Sequence, residues 1–186
     1  MQLSEALSAR RTIRRFTDTP VSREDIEALL SAGCLAPNHR LSQPWRFYVM
    51  GSEARYAYGF ALGSRKAKKI EDPAAAQKMR EIVGEEHRAL PAMLAIAMTV
   101  NENEEIREED YAATMMAVQN ICLTAVERGL GTALRSGAIL GDPGARAAAT
   151  VADNERIIVV MNIGTPVEVT PPKARELAPA FTKWVP

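Results

Sequence analysis

Cysteine is scarce in this chain, and nothing in its placement suggests a redox or metal centre. The two cysteines, Cys34 and Cys122, stand far apart and form neither a CxxC pair nor a zinc spacing. Both lie in apolar helical surroundings, where a thiol behaves as a small hydrophobe. No uncharged apolar run reaches the ~20 residues of a membrane span. The opening stretch MQLSEALSARR is amphipathic and charged rather than an apolar leader. Membrane partnership is therefore disfavoured and a cytoplasmic location expected. Neither sign of charge is in excess: 23 Lys and Arg meet 23 Asp and Glu, for a formal net charge of zero. A protein that holds nucleic acid by its overall field carries surplus cations, so that partner is disfavoured too. There is no GxGxxG, hence no fingerprint for a tightly held dinucleotide, and no internal repeat or low-complexity tract.

What is present is an ordinary globular composition, 47% hydrophobic and 25% charged. At 186 residues the chain is long enough for one buried core and short for two, so residues 1–186 are expected to form one domain. The charge is uneven: Arg10, Arg11, Arg14 and Arg15 crowd the N-terminus, while Asn101 to Asp110 is acidic. That distribution suggests a local anion site.

The periodicities predict a short helix at Ser4–Ala9, a turn at Thr17–Val21, and a second helix capped by Ser22 with Asp25 as its capping-box partner. Ile26, Leu29, Leu30 and Gly33 share one face of that helix. A loop from Pro37 to Pro44 leads into a strand, Trp45–Met50. Glu53–Leu90 is helical, with the polar stretch Arg65–Asp72 its candidate mobile segment. Ala92–Val100 is a second strand. Asp110 is expected to cap the longest helix, Tyr111–Arg128, which is apolar nearly all round and should be buried, in part against another subunit; Gly129 stops it. Gly131–Leu140 reads as a connector, Asp142–Thr150 as a short helix, and Ile157–Ile163 as a buried strand. The tail from Thr165 holds five prolines and ends FTKWVP. It cannot continue as a helix and is expected to run extended over a neighbour.

Four stretches taken together resemble the nitroreductase family of flavoenzymes, in its short single-domain branch. They are RRTIRRF (Arg10–Phe16), LAPNHRLSQPWRFYVM (Leu35–Met50), AVQNICLTAVERGLGTALRSGAI (Ala117–Ile139) and IGTP (Ile163–Pro166). Each is weak alone, but their order and spacing cover most of the chain. The resemblance implies an α+β fold, a central mainly antiparallel sheet wrapped by helices, with the C-terminal tail extended onto a partner subunit. It implies a homodimer with FMN between the subunits.

The residues agree with that chemistry. A phosphate dianion calls for planar, permanently charged donors, which arginine supplies as a bidentate fork. By resemblance Arg10, Arg11 and Thr12 meet the phosphate and ribityl end, and Arg14 faces the pyrimidine edge of the ring. Taken alone, the same cluster reads as a solvated basic turn or a nucleic-acid patch. Leu134, Arg135, Ser136 and Gly137 form the second cofactor segment, with Gly137 allowing close backbone approach. His39 matches a histidine that reaches the partner's flavin. At Leu35, relatives can carry an arginine facing the cofactor; here either the contact is reduced to packing or Arg40 replaces it. Gln43 either bonds the flavin's polar edge or fixes the turn. Lys173 and Arg175 either reach the phosphate or belong to a solvated tail.

The activity implied is transfer of hydride from NADH or NADPH, through FMN, to a small oxidised acceptor such as a nitroaromatic or quinone, in a ping-pong cycle. No catalytic triad, paired carboxylate or metal site is required. Two readings from other classes stand beside it: an FMN store without turnover, and a basic interaction module built on Arg10–Arg15.

Overall fold

The two longest strands, Ala92–Thr99 and Glu155–Gly164, lie side by side at the centre of a four-stranded antiparallel sheet. The computed structural model describes residues 1–186. Helices α1 (Leu3–Ala9) and α2 (Arg23–Cys34) precede strand β1 (Trp45–Val49). Helices α3 (Ser52–Lys66) and α4 (Pro73–Arg88) pack as a hairpin, followed by β2 (Ala92–Thr99) and the long α5 (Glu104–Glu127). Strand β3 (Gly131–Arg135), α6 (Pro143–Ala148) and β4 (Glu155–Gly164) complete the order. The strands run β1-β2-β4-β3, every pair antiparallel, with helices on both faces. This is the α+β architecture that the resemblance implies.

Strands covered on both faces need no polar alternation. In β2 the alternation is one of size. Leu94 and Ile96 enter the core shared with α2 and α5, whereas Met93, Ala95 and Ala97 face α3 and α6. The small side chains let Tyr58 of α3 lie against the sheet fully buried. Strand β4 carries one residue more than β2 between the pairs Ile96–Val159 and Ala97–Ile157. The extra residue, Ile158, is a bulge that turns Ile157 to the same face as Val160.

The Ser22 cap forms as expected, with one variation. Ser22 accepts the Asp25 amide, but its hydroxyl donates to the Asp25 carboxylate at 2.7 Å instead of the carboxylate reaching back to the cap amide. Arg128, at the end of α5, donates to the same carboxylate at 2.7 Å and ties the two helices together. The Ser22 hydroxyl, then Arg128, hold the Asp25 carboxyl below its ordinary range.

Three expectations are corrected. Helix α5 starts at Glu104, not Tyr111: Asn103 takes the cap by accepting the Ile106 amide, and Glu104 and Glu105 complement the dipole of the first turn. Asp110 is therefore no cap but a buried residue inside the helix. Within one chain α5 is covered on all but one face. Tyr111, Ala112, Met116 and Gln119 lie on one uncovered face, because a single chain offers nothing to pack there. The segment read as a connector contains strand β3, which pairs with β4 from Gly131–Gly164 to Arg135–Val160. Cys122 is buried, its thiol pushed up by that burial, but Cys34 is exposed at the end of α2. The stretch Arg65–Asp72 comprises the last turn of α3, a 3-10 turn at Ala67–Lys69 and the Asp72 cap of α4. Residues 167–186 are exposed throughout, with Trp184 91% accessible. No helix is long and apolar enough to cross a membrane.

Candidate functional site

The arginine strip is fixed in place by backbone pairing at the β3 edge of the sheet. Thr12 bridges Thr132 of β3, and the Ile13 amide donates to the Thr132 carbonyl at 2.9 Å. Farther on, Phe16 bridges Pro166, the Thr17 amide donates to Thr165, and the Val167 amide returns to the Arg15 carbonyl at 3.1 Å. The strip is thus laced to β3 and to the exit of β4. Ile13 is the buried anchor: a Cβ added at Gly131 would stand 2.4 Å from its Cγ1, so only glycine lets the strip approach this closely. With Ile13 turned inward, its neighbours Thr12 and Arg14 are left exposed.

The same lacing brings the start of the tail back over the strip. The result is a cleft of about 1030 Å³ lined by Arg10, Arg11, Thr12, Arg14 and Arg15 on one side and by Thr170, Lys173 and Arg175 on the other. Gln119 of α5 also lines it, and Glu168 is the one carboxylate there, 3.9 Å from Arg15. Six cations facing one acid cannot neutralise each other, so the cleft is built for an anion. Arg11 is partly committed: its Nη1 donates to the carbonyls of Ser8 and Arg10, which close the end of α1. Its Nε is buried without a partner. Lys173 and Arg175, read from sequence with two meanings, line the cleft together with Arg10, Arg11, Thr12 and Arg14.

Leu134, Arg135, Ser136 and Gly137 do not line that cleft; they continue the same edge strand beyond Thr132. At ~3.3 Å per residue, Arg135 lies roughly 10 Å along the strand from the point where Thr12 pairs. All four are exposed, and Gly137 adopts φ 99°, a conformation that a side chain would strain.

Leu35, His39 and Gln43 do not line the cleft of their own chain. Leu35 is 82% exposed just past α2. His39 and Gln43 lie on a loop in which Arg40, Leu41 and Gln43 have φ of 65°, 51° and 45°. Left-handed backbone costs a non-glycine residue about 1–2 kcal/mol, so three such residues need external fastening. Asn38 Oδ1 supplies part of it by accepting the Gln43 amide at 2.6 Å. The turn is thereby fixed through the Gln43 backbone, and its exposed side chain is not needed for it. Acidic residues of α5 supply the rest. The Ser42 hydroxyl donates to Asp110 at 2.5 Å, His39 Nδ1 lies 2.9 Å from Glu109, and Arg40 Nε lies 3.3 Å from the same carboxylate. The His39 bond, then Arg40, hold the Glu109 carboxyl below its ordinary range. The sequence pattern does not single out Glu109 and offers Asp110 only as a cap, because the acidic run reads as preceding the helix. The signal that could have found them is Asn103 as a cap followed by two acidic residues.

The sequence pattern of the nitroreductase family matches residues 7–165, which include the basic strip, the strained loop and the end of β3. The chain belongs to the nitroreductase family. A relative from Bacillus subtilis strain 168, which carries the name NAD(P)H nitroreductase YfhC, is 35% identical over 93% of this nitroreductase and 89% of its own length. A nitroreductase-like protein from Bacillus cereus is 26% identical, covers 100% of this chain and 96% of its own, and superposes with a TM-score of 0.85. The FMN- and NADPH-dependent nitroreductase NfnB from Sphigopyxis sp. strain HMH, 19% identical, shares the fold over the full length of both chains with a TM-score of 0.79.

Proposed function

We propose that residues 1–186 form a single FMN-binding domain of a cytoplasmic, homodimeric oxidoreductase. It takes reducing equivalents from NADPH or NADH and passes them to a small oxidised acceptor such as a nitroaromatic or quinone. The observation that carries this reading is the basic cleft at the β3 edge, continued along the same strand by Leu134–Gly137. FMN, when bound, supplies the ring that accepts and releases the electron pair.

The cleft fits the phosphate end of that group. Arg10, Arg11, Lys173 and Arg175 offer charge-assisted donors, Thr12 a hydroxyl, and the partnerless Arg11 Nε a further donor. Arg14 adds positive charge for the pyrimidine edge. Arg135, Ser136 and Gly137 stand a mononucleotide's length farther on, where a ring needs a flat backbone floor. Leu35, His39 and Gln43, which lie outside the cleft of their own chain, are left to serve the site of a second copy. With Leu35 apolar, its contribution there is packing. The uncovered face of α5 and the exposed apolar residues of α1 and the tail support that dimer. Its interface is expected to exceed ~2,000 Å², with the tail lying on the partner.

Ser136 and its neighbours would cover one face of the bound ring, which would leave the other for nicotinamide and acceptor to share in turn. The test is the purified protein itself. It should be yellow, release FMN on heating as identified by mass spectrometry, and be bleached by a reduced nicotinamide. Initial rates should give parallel double-reciprocal lines. FAD, or no flavin after reconstitution, would overturn the reading; intersecting lines would overturn the shared position. Flavin that no nicotinamide bleaches would point to storage without turnover.

A further inference from the structure

Resting on the reading that His39 serves a flavin held by a second copy, we propose that Glu109 is a positioning residue. It holds His39 by Nδ1 and so makes Nε2 the nitrogen presented to that flavin. The two carboxylate oxygens divide between neighbouring residues of the strained loop. Oε1 lies 2.9 Å from His39 Nδ1, and Oε2 accepts from Arg40 Nε at 3.3 Å. An ionised carboxylate can only accept, so the hydrogen between Glu109 and His39 belongs to Nδ1. The other ring nitrogen is then the free one, a lone pair in the neutral ring and an N–H in the charged one.

The ring itself is 67% exposed, so its outer edge is open to a ligand. On a loop held only by its own backbone, such a ring would exchange rotamers and tautomers. Here the next residue of α5, Asp110, fastens the far side of the loop through Ser42, so one helix grips it at two points. Helix α5 also supplies Gln119 to the basic cleft of its own chain, ten residues or roughly 15 Å along the axis. A single rigid element therefore spaces the group offered to the partner from the chain's own cleft.

The experiment is imidazole ¹H–¹⁵N spectroscopy of the full-length protein, paired with the FMN dissociation constant. The chain has only two histidines, and a His39→Gln variant assigns their signals. At alkaline pH the neutral His39 ring should be in its Nδ1–H form. Glu109→Ala should move it to the Nε2–H form that free imidazole favours and weaken FMN binding about tenfold, one charge-assisted hydrogen bond's worth. Glu109→Gln keeps an acceptor for Nδ1 and should recover both signatures in large part. Glu108→Gln, which removes the adjacent exposed carboxylate, should change neither. An Nε2–H ring in the unaltered protein overturns the proposal, whatever the variants do to folding. So does unchanged FMN affinity in Glu109→Ala, or an equal loss in Glu108→Gln. A wild-type protein that takes up no flavin fails differently: the tautomer still reports the Glu109 contact, while the functional reading falls and the assignment with it.

Discussion

On the face of the sheet covered by α2 and α5, the polar groups that enter the core find partners; on the face covered by α3 and α6, several do not. The Thr114 hydroxyl donates to the Asp110 carbonyl at 2.8 Å, the Asn120 amide to the Ala32 carbonyl at 3.1 Å, and Thr132 to the Cys122 sulfur at 3.5 Å. Across the sheet, Tyr58 Oη, His87 Nε2 and Asn162 Oδ1 are buried without a hydrogen-bond partner. Asn162 pairs with Met93 and follows Val160 by two residues, which puts it on the Tyr58 side. Each partnerless buried group costs about 1–3 kcal/mol. The unsatisfied face is also the one adjoining the proposed ring site, because Arg135 pairs across the strands with Val160, a member of the Tyr58 cluster. Departures from full satisfaction concentrate where a protein serves function, and the satisfied face then carries stability.

The largest expected effect comes from breaking the satisfied face. Ile121 is fully buried at the centre of its 13-residue cluster. Ile121→Ala should cost roughly 2–5 kcal/mol in urea unfolding with an unchanged slope. A loss below ~1 kcal/mol would mean that this face is not the stabilising one. A smaller effect should come from acid on the opposite face. His87 Nδ1 donates to the Val83 carbonyl at 2.8 Å, so the neutral ring leaves Nε2 as a bare acceptor. Burial lowers its pKa, outweighing the Val83 bond, while Arg135 and Lys66 lower it further and Glu86 opposes them. The unfolded chain therefore takes up a proton near the free-histidine pKa of ~6.5 while the folded chain does not. Stability should be full above pH ~6.5 and decline as the pH falls below it. Asp25 and Glu109, whose carboxyls are held low, give up their stabilisation only below about pH 4.5. Unfolding free energies between pH 7.5 and 5, compared with those of His87→Gln, isolate this histidine from His39. A flat profile there, or one unchanged by His87→Gln, would contradict the assignment.

The comparison also marks what the sequence made legible. Apolar runs announced β1, β2 and β4, since strands buried on both faces need little else. Strand β3 was missed because GTALR is short and opens on glycine; its pairing depends on Ile13 seating against Gly131, a contact between segments more than a hundred residues apart. The basic strip was legible as anion chemistry because four arginines fall within six residues. That Lys173 and Arg175 would face it was not, since the tail's return depends on the Val167–Arg15 backbone bond. The fastening of the His39 loop was hidden for the same reason, with Glu109 seventy residues away along the chain.

The smallest expected change is the most discriminating for the unsatisfied face. Tyr58 is 0% exposed, and burial pushes its hydroxyl pKa up to about 12, with Arg135 pulling weakly the other way. The group stays protonated at every pH where the protein functions, so Tyr58→Phe changes no charge and removes one oxygen. The ring stays against the small β2 side chains Ala95 and Ala97, and its contact with the His87 ring, centroids 5.7 Å apart, is kept. A hydroxyl that lost its water on folding and gained no partner carries an uncompensated desolvation cost. Tyr58→Phe should therefore leave unfolding free energy unchanged or raise it by up to roughly 1 kcal/mol, against the usual trend of core substitutions. If the two faces were equally well satisfied, the hydroxyl would be bonded and its removal would cost about 1 kcal/mol. The sign of this one difference, read beside the large loss in Ile121→Ala, decides whether the contrast between the faces is real.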